Sequence, residues 1–389
     1  MKKFLALAFV ALFSTSVLAA EFGLKNFEFY GEGLVTGFSV FNNYTTNANV
    51  GFVNTMNVLG VKFDVSENIF ANIAAGYIAN WGDSADTGKS VQDYLDNIRI
   101  VEANLTFKDL FDVENLSAKV GRQFYGDNDS MVMYFGPEAN RFAFDADVVS
   151  LDALTLYYDY ENLKANAVYA NYQDRAWWGI SNNFTIMGFD VKYAAHEMVD
   201  VQAYMYDIEN ENIGAPRHHT LTGIKPAFKL DGFKASVEMA KQFAGEQVFS
   251  DDTTALNTNF IKVDASFEIE KFTPRAMYFV RGGEGKSFMD FGTFAPGLIY
   301  SNTIGSNDEQ IVNAGVDYKH NDKLILFFDY FNFGQRDGDN TFGNEVNLKA
   351  RYQYTENVGI NAGYGYFIAD DKFSDVDSSM WVLGIDYKF

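Results

Sequence analysis

Three stretches of the chain carry residue types that could do chemistry. Gly282-Gly283-Glu284-Gly285-Lys286-Ser287 ends like a phosphate-binding loop, in which backbone N–H groups and a lysine cradle a nucleotide. That loop needs a glycine five positions before Gly285, where Val280 stands, so the glycines read as a connection. His218-His219 follows a segment ending in Asp207 and Glu209, and a hydrolase would need one histidine within hydrogen-bond reach of a carboxylate or a nucleophile. Neighbours on a strand point to opposite faces, so at most one of the pair could serve. Asp127-Asn128-Asp129 and Asp337-Gly338-Asp339 could touch calcium, but they lack the later carboxylate of a dedicated calcium loop and read as solvated acidic loops. With no cysteine there is no thiolate metal site and no disulfide. No catalytic residue, metal ligand or cofactor is expected, and the chain is not expected to be an enzyme.

A different set of polar residues recurs at alternate positions, opposite bulky apolar ones: Glu102, Lys119, Gln123, Asp190, Glu238, Lys262, Asp264, Lys349 and Arg351. Side chains so arranged could set the charge of a water-filled passage, provided their segments close around it. Arg122 falls in the apolar phase of its segment, with Leu116, Ala118, Val120 and Phe124. An arginine facing lipid at the midplane costs roughly 2–4 kcal/mol. A bulge beside Gly121 that turns it into the lumen is the favoured expectation, and snorkelling to a headgroup rim is the alternative.

The elements that must position these residues are strands. Ile69-Ala71-Ile73-Ala75-Tyr77-Ala79-Trp81 is one apolar face. Ile261-Val263-Ala265-Phe267-Ile269 alternates with Lys262-Asp264-Ser266-Glu268, and Val346-Leu348-Ala350-Tyr352-Tyr354 with Glu345-Asn347-Lys349-Arg351-Gln353. About eighteen such segments run from 27–40 to 379–389, and sixteen remain possible if 147–160 or 324–334 is misread. Short turns, as at 66–68, 113–115, 160–162 and 355–357, alternate with long polar loops at 82–96, 126–146, 245–257 and 282–308. Aromatic residues make up 17% of the chain and prolines number only 5. An all-β transmembrane antiparallel barrel has this pattern, with short turns in the periplasm, long loops outside and aromatic girdles at the two interfaces.

Residues 1–19 read as a cleaved secretory signal, with Lys2 and Lys3 before the apolar run Phe4 to Phe13, leaving 20–389 as a single barrel domain. Ten apolar residues are too few to span about 30 Å of hydrocarbon. Without Lys2 and Lys3, 28 Lys+Arg remain of 30 against 52 Asp+Glu, a net charge of −24 instead of −22, which argues against nucleic acid and toward cations. The third long loop carries Met131, Val132, Met133, Tyr134 and Phe135, an apolar cluster costly to leave in water. It either folds into the barrel, making Met131, Met133, Tyr134 and Phe135 a constriction, or extends a strand above the membrane.

The last segment alternates Trp381, Leu383, Ile385, Tyr387 and Phe389 with small or charged residues and ends on an aromatic. With Trp381, Leu383, Tyr387 and Phe389 it resembles the terminal signal by which outer-membrane barrels are recognised by their assembly machinery. Val120-Gly121-Arg122-Gln123, followed by Tyr125-Gly126-Asp127, resembles the alginate-export family of barrel porins, which implies eighteen strands and an acidic polysaccharide as cargo.

The residues themselves favour an outer-membrane pore for passive diffusion of small hydrophilic solutes or ions, with a modest cation preference. A selective channel for an acidic sugar or polysaccharide is the first alternative, favoured by a ladder of Lys and Arg at the constriction; a structural or adhesive barrel without an open pore is the second. The expected partners are outer-membrane lipid, the barrel-assembly machinery and the solute. The number of subunits is left open.

Overall fold

The structure is a computed structural model that describes residues 24–42, 49–81, 98–143, 146–175, 181–210, 218–244, 257–282, 296–300, 308–336, 340–374 and 376–389. The signal segment 1–19 and most of the long loops 82–96, 245–257 and 282–308 lie outside the described residues.

Eighteen strands form one closed antiparallel sheet. In chain order they are β1 (Lys25–Phe41), β2 (Val50–Ser66), β3 (Ile69–Trp81), β4 (Ile98–Phe107), β5 (Leu116–Gln123), β8 (Leu151–Tyr160), β9 (Leu163–Arg175), β10 (Ser181–His196) and β11 (Val199–Asn210), followed by the strands of the second half. Those are β12 (His218–Leu230), β13 (Phe233–Ala244), β14 (Asn257–Phe267), β15 (Phe272–Gly282), β16 (Glu309–Lys319), β17 (Leu324–Gly334), β18 (Thr341–Thr355), β19 (Val358–Ala369) and β20 (Ser378–Lys388). Two short strands, β6 (Tyr125–Gly126) and β7 (Tyr134–Phe135), pair only with each other. β1 pairs with both β2 and β20, which closes the sheet. Phe389 extends the seam, exchanging N–H···O bonds of 2.9 and 3.0 Å with Gly31. Closure satisfies the backbone in lipid, where an open edge would leave a row of unpaired groups.

The expected strand count holds, because β17 spans 324–334 and β8 covers most of 147–160. β8 starts at Leu151 instead of 147, because the chain leaves the wall between β5 and β8. Pro274 is accommodated by position: the β14–β15 ladder ends at Ser266 opposite Arg275, just before it. The short turns at 66–68, 113–115, 160–162 and 355–357 share no single conformation. Left-handed φ falls on Asn115 at 67° but on Glu161 at 49°. The turns at 67–68 and 356–357 instead follow register shifts, at Asp64/Ser66 and Gln353/Thr355.

Alternation sorts side chains as a membrane demands. Leu59, Ile73, Leu105, Val120, Leu154, Tyr169, Met187, Ile224, Ile261, Leu348 and Leu383 are exposed on the outer face, while Glu345, Asn347, Asp329 and Asn361 are buried on the inner face. Exposed aromatics lie beside the short turns, among them Tyr160, Tyr193, Phe267, Phe272, Tyr354 and Phe389, forming one interfacial girdle. Trp381, Leu383, Ile385 and Phe389 share that outer face, and Tyr387 reaches Asn57 through its hydroxyl at 2.7 Å.

Candidate channel constriction

The segment between β5 and β8 turns into the lumen because its apolar residues find cover there. Met131, Val132, Met133 and Phe135 are almost fully buried among inward side chains such as Phe38, Leu151, Ile186 and Tyr206. Each such burial removes apolar surface from water, a gross gain of about 1.5–3 kcal/mol per side chain. Tyr134 is half-buried and donates to the Pro137 carbonyl at 2.8 Å. The segment touches walls all round the barrel. Phe135 packs edge-on to Tyr172 of β9 at 5.1 Å, Asp129 binds Lys225 of β12 at 3.2 Å, and Glu138 N–H reaches the Met56 sulfur of β2 at 3.3 Å. Arg141 lies 3.9 Å from Asp386 of β20, and Lys349 of β18 sits over the Phe142 ring at 5.4 Å. A segment with those contacts crosses the lumen. Burial pushes the Glu138 carboxyl above its usual range, opposed by N–H bonds from Asn140 and Ala139 and by Arg141.

A second segment, residues 296–300, enters from the opposite wall. Glu345 of β18 accepts N–H bonds from Leu298 at 2.5 Å, Ile299 at 3.0 Å and Tyr300 at 2.9 Å. Both segments line a cavity of about 1140 Å³ that opens toward the short-turn end. A side recess of about 330 Å³ lies between the first segment and the β8–β11 wall.

The wall of the cavity carries an ordered band of charge. Register aligns Lys164 with Lys192, Lys192 with Gln202, and Gln202 with Lys225. Lys225 lies 3.9 Å from Glu238, which pairs in register with Lys262. Lys192 meets Asp127 of the inward segment, and Lys262 meets Asp264 at 3.0 Å. Farther round, Arg275 binds Asp329 at 2.6 Å and Asp317 at 2.8 Å, Lys349 binds Asp329 at 3.1 Å, and Arg351 binds Asp386 at 3.3 Å. Several acids lie buried at the wall, among them Asp190, Glu238, Asp329 and Asp386, while their basic neighbours reach farther into the opening.

The sequence-derived residues therefore fall into three groups. Lys262, Asp264 and Lys349 line the main cavity, Asp190 lines the side recess, and Glu238 and Arg351 stand in the same charged band. Glu102, Lys119 and Gln123 face inward beneath the crossing segment: Glu102 accepts the Tyr30 hydroxyl at 2.6 Å, Lys119 sits over the Tyr157 ring at 5.6 Å, and the Gln123 amide donates to Ala153 O at 2.9 Å. Gln123 is completely covered, so it fixes the foot of the segment instead of meeting open water.

Arg122 is the correction. It stays in the outer phase, paired in register with Asp152, and its guanidinium grips that carboxylate at 2.8 and 2.6 Å. Asp152 shares its face with the exposed Leu154 and Leu156. The bulge lies instead in β4, where Ala74 pairs with Glu102 but Ala75 with Ile100. A bidentate pair neutralises the arginine locally, which removes the need to turn it inward. Arg122→Leu is expected to lower barrel stability by about 1–2 kcal/mol by leaving Asp152 unpaired on that face. Adding Asp152→Leu should restore it, as read by denaturant unfolding in detergent micelles.

Lys192, Lys225, Arg275, Asp329 and Glu345 were missed. Lys192 stands two residues from Asp190 and shares its phase, so the period that found one could have found the other. Nothing in the sequence announces the seat for 296–300.

Of the remaining motifs, His218-His219 and Asp127-Asn128-Asp129 fall on described residues. His218 Nε2 lies 2.7 Å from Asp207 Oδ1, and the Thr220 hydroxyl also binds Asp207, at 3.1 Å. A nucleophile would have to address the histidine, and this hydroxyl addresses the carboxylate. His219 is buried on the inner side. Asp127 and Asp129 are ion-paired to the wall while their side chains stay half or more exposed. Residues 283–287 and 337–339 lie outside the described residues. Among the described residues, no group of three or more His, Asp or Glu could hold a metal ion.

Closed strands, an apolar outer belt and a charged, partly occluded lumen make this a membrane-spanning barrel of the bacterial outer-membrane type. No family model and no curated protein matches the chain. Among solved structures, the barrel is similar to the outer membrane protein OprD from Pseudomonas aeruginosa, with TM-score 0.61 and 12% identity over 93% of this chain and 94% of that one. It is also similar to Acinetobacter baumannii OccAB1 (TM-score 0.64, 11% identity, 93% and 96% covered) and to Pseudomonas aeruginosa OpdK solved with vanillate (TM-score 0.62, 9% identity, 93% and 98% covered). At these identities the likeness is one of fold. It gives no support to the alginate-export resemblance drawn from residues 120–127.

Proposed function

We propose that the chain forms a water-filled channel in a bacterial outer membrane, passing small hydrophilic solutes or ions down their gradient with a modest cation preference. The observation that carries this is the crossing of the lumen by residues 126–143, which leaves a passage walled by charged side chains of both signs. No reaction is needed; selectivity is the width and field at that passage. The overall acidic excess attracts cations to the channel mouths. Asp127 and Asp129 place two further carboxylates on the crossing segment itself.

The test is single-channel conductance and reversal potential of the refolded protein in a planar bilayer under a salt gradient. A steady current with cation preference is expected, and no current would favour the structural barrel. Asp127→Asn with Asp129→Asn is expected to lower the cation-to-anion permeability ratio roughly twofold, because Lys192 loses its ion-pair partner and Lys225 keeps only Glu238, 3.9 Å away.

A second reading has its own observation. The run Lys164, Lys192, Lys225 and Lys262, continued by Arg275 and Lys349, suits a solute carrying a carboxylate, such as an acidic sugar. OpdK, of similar fold, was solved with vanillate, a carboxylate. Anion preference in the same experiment, with block of the current by an acidic sugar, would favour that reading.

A further inference from the structure

Residues 296–300 are held in the lumen by a seat built from four strands, β16 to β19. Both Glu345 carboxylate oxygens are used: Oε1 accepts from Leu298 and Ile299, and Oε2 from Tyr300. Glu345 is completely buried, so the three N–H donors replace the water that its charge would otherwise require. Successive N–H groups converge this way after a residue in the left-handed region, and Gly297 has φ +79°. A Cβ there would meet Glu345 Oε2 at 2.8 Å, so the position requires glycine. Tyr300 is clamped on both sides. Its ring stacks on Phe333 of β17 at 3.8 Å, and its hydroxyl donates to Glu309 of β16 at 2.7 Å. Two glycines of β19 hollow the wall under Leu298: a Cβ on Gly365 would lie 3.3 Å from Leu298 Cβ, and one on Gly363 would lie 3.3 Å from Leu298 Cδ1.

We infer that Glu345 is the positioning residue that fixes segment 296–300 as the second jaw of the constriction, and so sets the width of the passage opposite residues 126–146. The inference rests on the channel reading for its consequence but not for its geometry. Pro296, Gly297 and Leu298 line the same cavity as Met131, Asn140 and Phe142, so releasing one jaw opens the passage that the other narrows. Glu345 touches no solute; it acts through the backbone it holds.

The chain has no cysteine, so an introduced pair reports without background. Leu298→Cys with Gly365→Cys places two Cβ atoms about 3.3 Å apart, just inside disulfide distance, once the Asn347 amide, 2.7 Å from the added Cβ, turns aside. The bond is expected to form readily with Glu345 present and to fall at least about fivefold in yield, at short oxidation times, when Glu345→Ala is added. In bilayers Glu345→Ala alone should raise conductance about twofold. In the triple variant oxidation should restore the smaller current and reduction should release it. Heat-modifiable electrophoretic mobility would confirm that each barrel is closed, and Gly297→Ala provides a second disruption that leaves the carboxylate in place. Equal disulfide yields with and without Glu345, or a current that oxidation leaves unchanged, would overturn the inference. A silent wild-type protein with the yield difference intact would overturn the channel reading and leave the seat standing.

Discussion

Joining Gln123 directly to Leu151 through a short turn is expected to give a folded barrel whose single-channel conductance is severalfold higher than that of the full chain. The two residues are register partners at the top of the β5–β8 pair, so an Asn-Gly hairpin turn can replace residues 124–150 without moving either strand. The eighteen-strand ladder is untouched, because β6 and β7 pair only with each other. What disappears is the body that crosses the lumen, with its contacts to β2, β9, β12, β18 and β20. Charge changes with it: Asp127 leaves Lys192, Asp129 leaves Lys225, and Arg141 leaves Asp386. Two lysines at the middle of the β9–β14 band each lose an acid, Lys225 keeping only Glu238 at 3.9 Å, whereas Asp386 keeps Arg351 at 3.3 Å. The current should therefore grow and shift toward anions together. A deletion that folds, as judged by heat-modifiable mobility, and conducts like the full chain would show that residues 126–146 do not restrict the passage.

The wall was legible in the sequence because a strand between lipid and water must alternate at every position. A period of two located β3 and β17 to the residue. It also placed Glu102, Asp190, Glu238, Lys262, Asp264, Lys349 and Arg351 on the inner face, since a charge in the wet phase has nowhere else to go. Arg122 shows where phase misleads when it is overruled. The period put it outside, and the cost of an isolated arginine in lipid suggested otherwise, but the arginine is not isolated. Its partner Asp152 lies 30 residues away, and only the register of β5 against β8 brings the two together. Segment 296–300 was illegible for a related reason. A run of backbone N–H groups has no sequence signature, and Glu345, which receives them, looks like any other inner-face carboxylate.

The same register logic predicts the most costly single substitution in the lumen. Asp329 of β17 is completely buried and lies between Arg275 Nη2 at 2.6 Å and Lys349 Nζ at 3.1 Å, while Asp317 holds the other side of Arg275 at 2.8 Å. Two cations and two anions make the cluster neutral, which is why it can stand against the wall. Asp329→Ala leaves an excess positive charge there. Removing one member of a buried pair typically costs about 3–5 kcal/mol. Because Arg275 and Lys349 are only partly buried and face a wet cavity, water would screen part of this, and about 3 kcal/mol is expected from denaturant unfolding in micelles. Adding Lys349→Met restores neutrality and should recover more than half of the loss, a coupling that a double-mutant cycle measures directly. Conductance separates electrostatics from packing. In Asp329→Ala, Lys349 is released toward the passage, where it already sits over Phe142, so selectivity should move toward anions. In the double variant that shift should vanish while the barrel remains folded. If instead both variants lose equal stability, Asp329 acts by filling space, and the charge balance of the wall is not what holds this side of the lumen together.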